Sequence, residues 1–419
     1  MSIAKRLVFS VVANTTRAII SFTTGMIVAR GLGPEQYGVF SFLLASLIAI
    51  TSLFDMGSSS AFFSFISKRI RSQKFFMHYA YWLLLQFLLF VIIILVITPD
   101  KWLHIIWEGE SRQLILIAFI AVFFQQQIWG AIAKIGESQR LTTKVQMLGV
   151  SVAFIHFILI ILLLWQDQLF IDFIYYLIIF EIIVAAIIAR LTFPFEFSDE
   201  KETFDQILRE YWVFCKPLIP YAWLGLIMGF ADTWLLQHFG GAVEQAYYAV
   251  ASKIAAVSLI FTSSIIRVLW KEVAEANNNN NKEHIIFIYK RINRILFMFG
   301  AVISGFLIPW SEDIIVLLLG DEYIKGVLVM SIMMLYPIHQ SLGQVNGVMY
   351  YALELTRPYV LIGMTHMSIS IIAIYFILAP ADANIPGLGL GSAGLGLKMV
   401  IVQFISVNFS IWWLSRKQG

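Results

Sequence analysis

Apolar runs of about twenty residues, returning about twelve times, constrain this chain more than any other feature of it. Read by window, they fall near 7–29, 39–62, 75–98, 113–133, 147–165 and 171–191, and again near 217–237, 245–268, 292–318, 326–350, 358–380 and 395–414. A helix of that length rises about 30 Å, the thickness of a bilayer's hydrocarbon core, and it satisfies its own backbone groups where water is absent. Composition agrees: 59% of the residues are hydrophobic and 13% charged, with a mean hydropathy of +0.81. The chain therefore reads as an all-α integral membrane protein. One cysteine, Cys215, excludes an internal disulfide, and a formal net charge of +3 is too small to point to nucleic acid. The segment from Met1 to Ala29 has a basic start but no small-residue cleavage site, so it reads as a retained helix.

Basic residues set the orientation. Lys5, Arg6, Lys68, Arg69, Arg71, Lys74, Lys134, Arg140 and Lys144 fall on one side of this scheme. Lys201, Arg209, Lys216, Lys271, Lys282, Lys290, Arg291, Arg294, Arg357, Arg416 and Lys417 join them, against Arg30, Lys101, Arg112 and Lys325 on the other. Both termini are expected in the cytoplasm. An even number of spans per half makes the halves parallel repeats, so two six-helix bundles are expected, 1–191 and 217–419. A cytoplasmic linker, 192–216, joins them; its Phe204 to Trp212 portion is amphipathic and suited to the inner interface. Asn277 to Asn281 reads as a solvated low-complexity loop.

Internal echoes support duplication. Gly31-Leu32-Gly33-Pro34-Glu35-Gln36-Tyr37-Gly38 is answered by Phe239-Gly240-Gly241-Ala242-Val243-Glu244-Gln245-Ala246-Tyr247. Gly130, Glu137 and Arg140 recur at the same offsets as Gly347, Glu354 and Arg357.

Polar side chains within these runs are the candidate functional residues, because a charge facing lipid costs about 2.5 to 3.5 kcal/mol on insertion scales. Asn14, Arg17, Ser21 and Thr24 stack on one face of the first helix; Ser52, Asp55 and Ser59 repeat the idea in the second. The seventh run places Ala222, Gly225, Gly229 and Asp232 on a stripe, and the eighth aligns Lys253 with Ser264 and Arg267. Glu181 sits near the middle of the sixth. Arg17, Asn14, Lys253 and Arg267 are expected to line a water-filled cavity that receives an anionic group, with Asp55, Glu181 and Asp232 balancing charge or carrying an ion. A simpler reading competes: Asp232 and Lys253, at similar depth on successive helices, neutralise each other. Asp55 is also placed to cap or snorkel, and Lys398 lies near enough to the outer boundary to snorkel. His156, His339 and His366 fall inside spans, yet no pair has the spacing of a zinc site, so no metal and no cofactor is expected. Gly389-Leu390-Gly391-Ser392-Ala393-Gly394 matches a dinucleotide fingerprint formally but follows no strand, and no nucleotide-hydrolysing phosphate loop is present.

Val28-Ala29-Arg30-Gly31-Leu32-Gly33-Pro34-Glu35-Gln36-Tyr37-Gly38 resembles the Wzx-type O-antigen and polysaccharide flippases, of the multidrug, oligosaccharidyl-lipid and polysaccharide exporter superfamily. The likeness runs on through Phe54-Asp55-Met56-Gly57, through Ala231-Asp232 with the Gly-Gly turn and Tyr247, and through Leu319-Gly320-Asp321-Glu322-Tyr323. Where many relatives carry a basic residue after the aspartate, this chain has Thr233. The resemblance implies about twelve helices in two bundles that open alternately, and export of an undecaprenyl-pyrophosphate-linked oligosaccharide across the bacterial inner membrane. It implies membrane lipid as surroundings, a polysaccharide polymerase and a chain-length regulator as candidate partners, and coupling to protons or sodium as an option. A multidrug cation antiporter of the same superfamily is the rival reading; it calls for an acidic cavity, against which Arg17 and Lys253 argue. A membrane glycan ligase or polymerase is disfavoured, since the outer connections near Pro99 to Arg112 and Ala381 to Ser392 hold no paired acid and base.

Overall fold

A computed structural model describes residues 3–193, 197–199, 202–259, 281–353 and 355–418, together with Thr262, Ile266, Leu269, Glu272, Val273, Glu275, Ala276 and Asn279. Helix dominates throughout; among the described residues the single strand-like pairing is an isolated bridge between Ser72 and Ser198. Chain order begins with α1 (Ile3–Asp55), α2 (Ser58–Lys68), α3 (Gln73–Ile92), α4 (Asp100–Ile106) and α5 (Arg112–Phe123). It continues with α6 (Trp129–Ser138), α7 (Thr142–Trp165), α8 (Ile171–Thr192), α9 (Phe204–Cys215) and α10 (Ile219–Val257). The remainder is α11 (Lys282–Leu307), α12 (Ser311–Leu319), α13 (Val327–Met333), α14 (Tyr336–Ala352), α15 (Thr356–Leu378) and α16 (Gly391–Gln418).

Nine helices among the described residues are long and apolar enough to cross a membrane, or up to ten if Phe204–Leu218 with Ala222–Val257 forms one bent span. This is a multi-pass membrane protein. Two of the helical runs, α1 and α10, each contain a break at a glycine. Gly33 has φ 71° and ψ 169°, and Gly241 has φ 77° and ψ −178°. That corner of torsion space is open essentially to glycine alone, so the echo seen in the sequence is also one repeated backbone conformation. Beyond Gly33, Pro34 supplies a fixed φ suited to a first helical turn. Near the end of α1 the continuous second helix expected over 39–62 does not form. Met56 and Gly57 both take positive φ, 46° and 83°, and α2 starts afresh at Ser58. Asp55 is consequently the last residue of one helix and the cap of the next, and Ser59 does not continue its stripe.

Cα proximity divides the chain into two compact units, residues 1–32 with 40–230, and 33–39 with 231–419. In the first, rings fill the space among α2, α3, α5 and α8: Phe62 stacks on Tyr79 at 3.9 Å and Phe90 on Phe119 at 3.8 Å, and buried Tyr175 donates to the Phe40 carbonyl at 3.2 Å. Arg112, at the start of α5, ties down the far end of α3 by donating to the carbonyls of Leu95 and Thr98 and to Asp100, whose carboxyl is held below its usual range by that hydrogen bond. In the second unit Leu296, Val345, Met349, Tyr350 and Leu414 form the heart of a core shared by α11, α14 and α16. Lipid is as apolar as these side chains, so close packing rather than expulsion of water holds such helices together. One contact shows how close: a Cβ on Gly38 would overlap the backbone carbonyl of Ala242.

Candidate functional site

Polar groups within the first unit gather around Arg17. On α1, Asn14 donates to Ser10 at 3.3 Å and accepts from Arg17 at 3.3 Å, one turn apart each time, as the stripe requires. Gly149 of α7 lies against the guanidinium, where a Cβ would make ordinary contact with an Arg17 nitrogen at 3.4 Å. Glu137 of α6 acts on Arg17 and on Lys134, and Lys134 in turn feels Asp55. Asp55 accepts from Ser58 and Ser59 at 2.9 and 3.0 Å, which caps α2. Sequence reasoning placed Arg17 and Asn14 on this face but counted Lys134 and Glu137 only as topology markers. Their signal was available: three residues apart on one helix, they present opposite charges together.

A second feature of this unit is the pair formed by His156 of α7 and Glu181 of α8. The His156 Nδ1 lies 3.0 and 3.1 Å from the two carboxylate oxygens, and the Glu181 side chain is 6% exposed. Such a pair shares a hydrogen bond across two apolar helices.

The second unit departs from the expected pairing. Asp232 does not meet Lys253; both of its oxygens accept from Lys398 Nζ at 2.7 Å. Lys398, expected to snorkel, is 2% exposed. α16 packs on protein on both sides here: Gly394, one turn before Lys398, lies against Ile377 of α15, and Gly396, on another face, lies against Val329, Ile332 and Met333. Lys253, which follows the break at Gly241, donates instead to the Tyr37 hydroxyl at 2.8 Å, with its ammonium 5.2 Å from that ring's centroid. Arg267 and Ser264 lie outside the described residues, as does Glu354 of the second echo. His339 packs edge-on against Phe404 at 4.9 Å. The Nδ1 atoms of His339 and His366 are buried without a hydrogen-bond partner, so neither reproduces the His156 arrangement.

Outside the spans, Arg71 makes a clamp. Its guanidinium reaches Glu202 at 2.5 Å and also Glu210, while Ser72 donates to Glu202 through its backbone N at 3.2 Å and its hydroxyl at 2.5 Å. Burial pushes the Glu202 carboxyl up, but the bonds from Ser72 and Arg71 together outweigh it and hold the group below its usual range. Burial likewise works against the Arg71 charge, and the two carboxylates more than restore it. The clamp fixes the start of α9, whose Thr203 and Gln206 complete a capping box.

Residues 3–270 match the family model described as polysaccharide biosynthesis protein. No curated protein sequence matches the chain. Solved structures share its fold at low identity. An inward-facing multidrug resistance MATE family transporter of the MOP superfamily superposes with a TM-score of 0.73 and 15% identity, over 96% of this chain and 94% of that one. The lipid II flippase MurJ, in an inward closed conformation, gives 0.71 and 15%, over 97% and 87%. A MOP superfamily transporter from Pyrococcus furiosus Vc1, whose binding pocket is described as reversed in polarity, gives 0.62 and 14%, over 99% and 95%. The helices thus follow the MOP-superfamily transporter fold, and with 3–270 of 419 residues matched, the chain belongs to the polysaccharide biosynthesis protein family.

Proposed function

We propose that the protein is a flippase that carries undecaprenyl-pyrophosphate-linked glycan repeat units from the cytoplasmic to the outer face of the bacterial inner membrane by alternating access. About twelve spans with both termini in the cytoplasm, and delivery to a polysaccharide polymerase and its chain-length regulator, belong to the same proposal. Family membership supports the glycan. Physics supports the lipid link: sugars and pyrophosphate cannot enter hydrocarbon, whereas a polyprenyl tail is at home there, so the protein need only provide a polar, cationic route for the head.

The observation that carries the reading is the Arg17 cluster. A guanidinium bonded to the neutral Asn14 keeps most of its donor fork available, the form in which arginine grips phosphate bidentately. Lys253, half-buried and held by a neutral phenol, offers a second cation of the same kind. Asp55, Glu181 and Asp232 then fall into different roles: cap, proton-carrying partner of His156, and counter-ion of Lys398. Proton coupling through Glu181 is part of the proposal. The test replaces Arg17 by Ala and by Lys and measures surface glycan at matched protein abundance. Glycan is expected to fall at least about tenfold in Arg17→Ala, the equivalent of one lost charged hydrogen bond, and to recover partly in Arg17→Lys. Unchanged glycan in Arg17→Ala removes Arg17 from transport, and dye efflux with intact glycan favours the cation antiporter.

A further inference from the structure

A crevice of about 620 Å³ opens in the first unit between α3 and α9, with the end of α1 and the start of α2 also lining it. Its size falls in the ~300–1,000 Å³ range of small-molecule sites. The clamp at Arg71 and Glu202 pins the start of α9 beside the start of α3, and ring contacts of Phe204 with His78 and of Tyr211 with Phe75 and Tyr79 hold α9 along it.

The lining is chemically unlike the rest of α3. Outward positions further along that helix are aliphatic: Leu84, Leu88, Leu89 and Ile92 are all exposed. Within the crevice seven of the fifteen lining residues carry rings, among them Tyr79, Trp82, Tyr211 and Trp212, beside aliphatic Leu85, Ile207, Leu208 and Ile219. A second observation points to an occupant. Tyr79 is 5% exposed, lines the crevice, and its hydroxyl has no hydrogen-bond partner; the Tyr211 hydroxyl beside it has none either. A buried hydroxyl left without a partner calls for an acceptor, which a ligand in the crevice can bring. Asp55, which also lines the crevice, is already committed to Ser58 and Ser59. Lys74, one turn before the lining residue His78, and Lys216, next in sequence to the lining residue Cys215, are both exposed.

We infer that this crevice binds the first isoprene units of a polyisoprenyl phosphate, the tail end of the proposed substrate, with the phosphate toward Lys74 and Lys216; the inference rests on the flippase reading for the identity of the lipid. The flat faces of these rings offer broad dispersion contact to the planar double bonds and methyl branches of an isoprene chain. The phenol hydroxyls donate to the phosphoester oxygen. Phospholipid acyl chains are the competing occupant.

The chain's single cysteine supplies the probe. In purified full-length protein, the rate of N-ethylmaleimide addition to Cys215 is followed by mass, with undecaprenyl phosphate, with an equal amount of phosphatidylglycerol, and with neither. Undecaprenyl phosphate is expected to slow labelling about tenfold, and phosphatidylglycerol less than about twofold. Tyr79→Phe should raise the concentration needed for half protection about three- to tenfold, the loss of one hydrogen bond. Leu208→Trp, which fills the crevice, should abolish the lipid's effect, whereas Leu88→Trp on the aliphatic face of α3 should leave it intact. Equal protection by phosphatidylglycerol, or protection that survives both Tyr79→Phe and Leu208→Trp, overturns the inference. The two readings fail separately. Protection of Cys215 together with surface glycan that is unchanged when the whole protein is deleted defeats the flippase reading, while glycan lost on deletion without protection of Cys215 defeats only the crevice.

Discussion

Alone in hydrocarbon, Asp232 and Lys398 would each cost about 2.5 to 3.5 kcal/mol; together at 2.7 Å they leave little net charge for the membrane to solvate. Removing one partner is far worse than removing both. Asp232→Asn or Lys398→Met alone should destabilise the protein by about 3 to 5 kcal/mol, while Asp232→Leu with Lys398→Met should recover most of that loss. Thermal unfolding in detergent measures it, and additive single losses would mean that the pair is not coupled. Sequence alone put Asp232 in the interior correctly, because charge in an apolar run has few other places to go. It did not identify the partner. Lys253 is 21 positions away along the chain and Lys398 is 166, and only the packing of α16 brings the latter close.

Breaks in helices follow a simpler logic, since their cause is local. At Gly33 and Gly241 the backbone adopts torsions that a side chain resists, so alanine at either should cost about 1 to 3 kcal/mol. Gly305→Ala, inside α11 with open space around it, should instead be neutral or slightly stabilising. Comparing the three melting temperatures checks this; equal effects would exclude torsional strain as the cause. The docking of α9 carries a pH dependence. Because the Glu202 carboxyl is held below the ordinary value of about 4.3, its contribution is present above that pH and is lost as pH falls through the lowered folded value. Glu202→Gln should therefore be less stable than the parent by about 1 to 3 kcal/mol at pH 7, and the difference should close on the acid side of pH 4. Hydrogen exchange of α9 amides across pH 3 to 7 reads this directly. A difference that persists unchanged to pH 3 would rule out the carboxylate as the source. The glycine doublet made one break legible from sequence. The break at Met56 and Gly57 was not, because a methionine beside a lone glycine carries no such mark.

At the scale of the whole molecule, the proposed even number of spans together with the distribution of basic residues predicts a cytoplasmic C-terminus. A green fluorescent protein fused after Gly419 should fluoresce, and alkaline phosphatase at the same place should be inactive. An active phosphatase there would require an odd count and would undo the parallel-repeat scheme. Membrane class, helical content and a likeness to polysaccharide flippases were all readable from the chain, since each depends on residue type, local period or short motifs. Hydrophobic run length is set by bilayer thickness, and local period is set by the helix itself, so neither waits on distant contacts. What tertiary structure decided was partnership: Lys398 for Asp232, Tyr37 for Lys253, His156 for Glu181, and Arg71 for Glu202 and Glu210. Hydrogen bonds and ion pairs form over about 3 Å, far less than the width of a helix, so a pairing depends on how helices are rotated and how closely small residues let them approach. No stretch of sequence holds that information by itself; it exists only once the helices are packed.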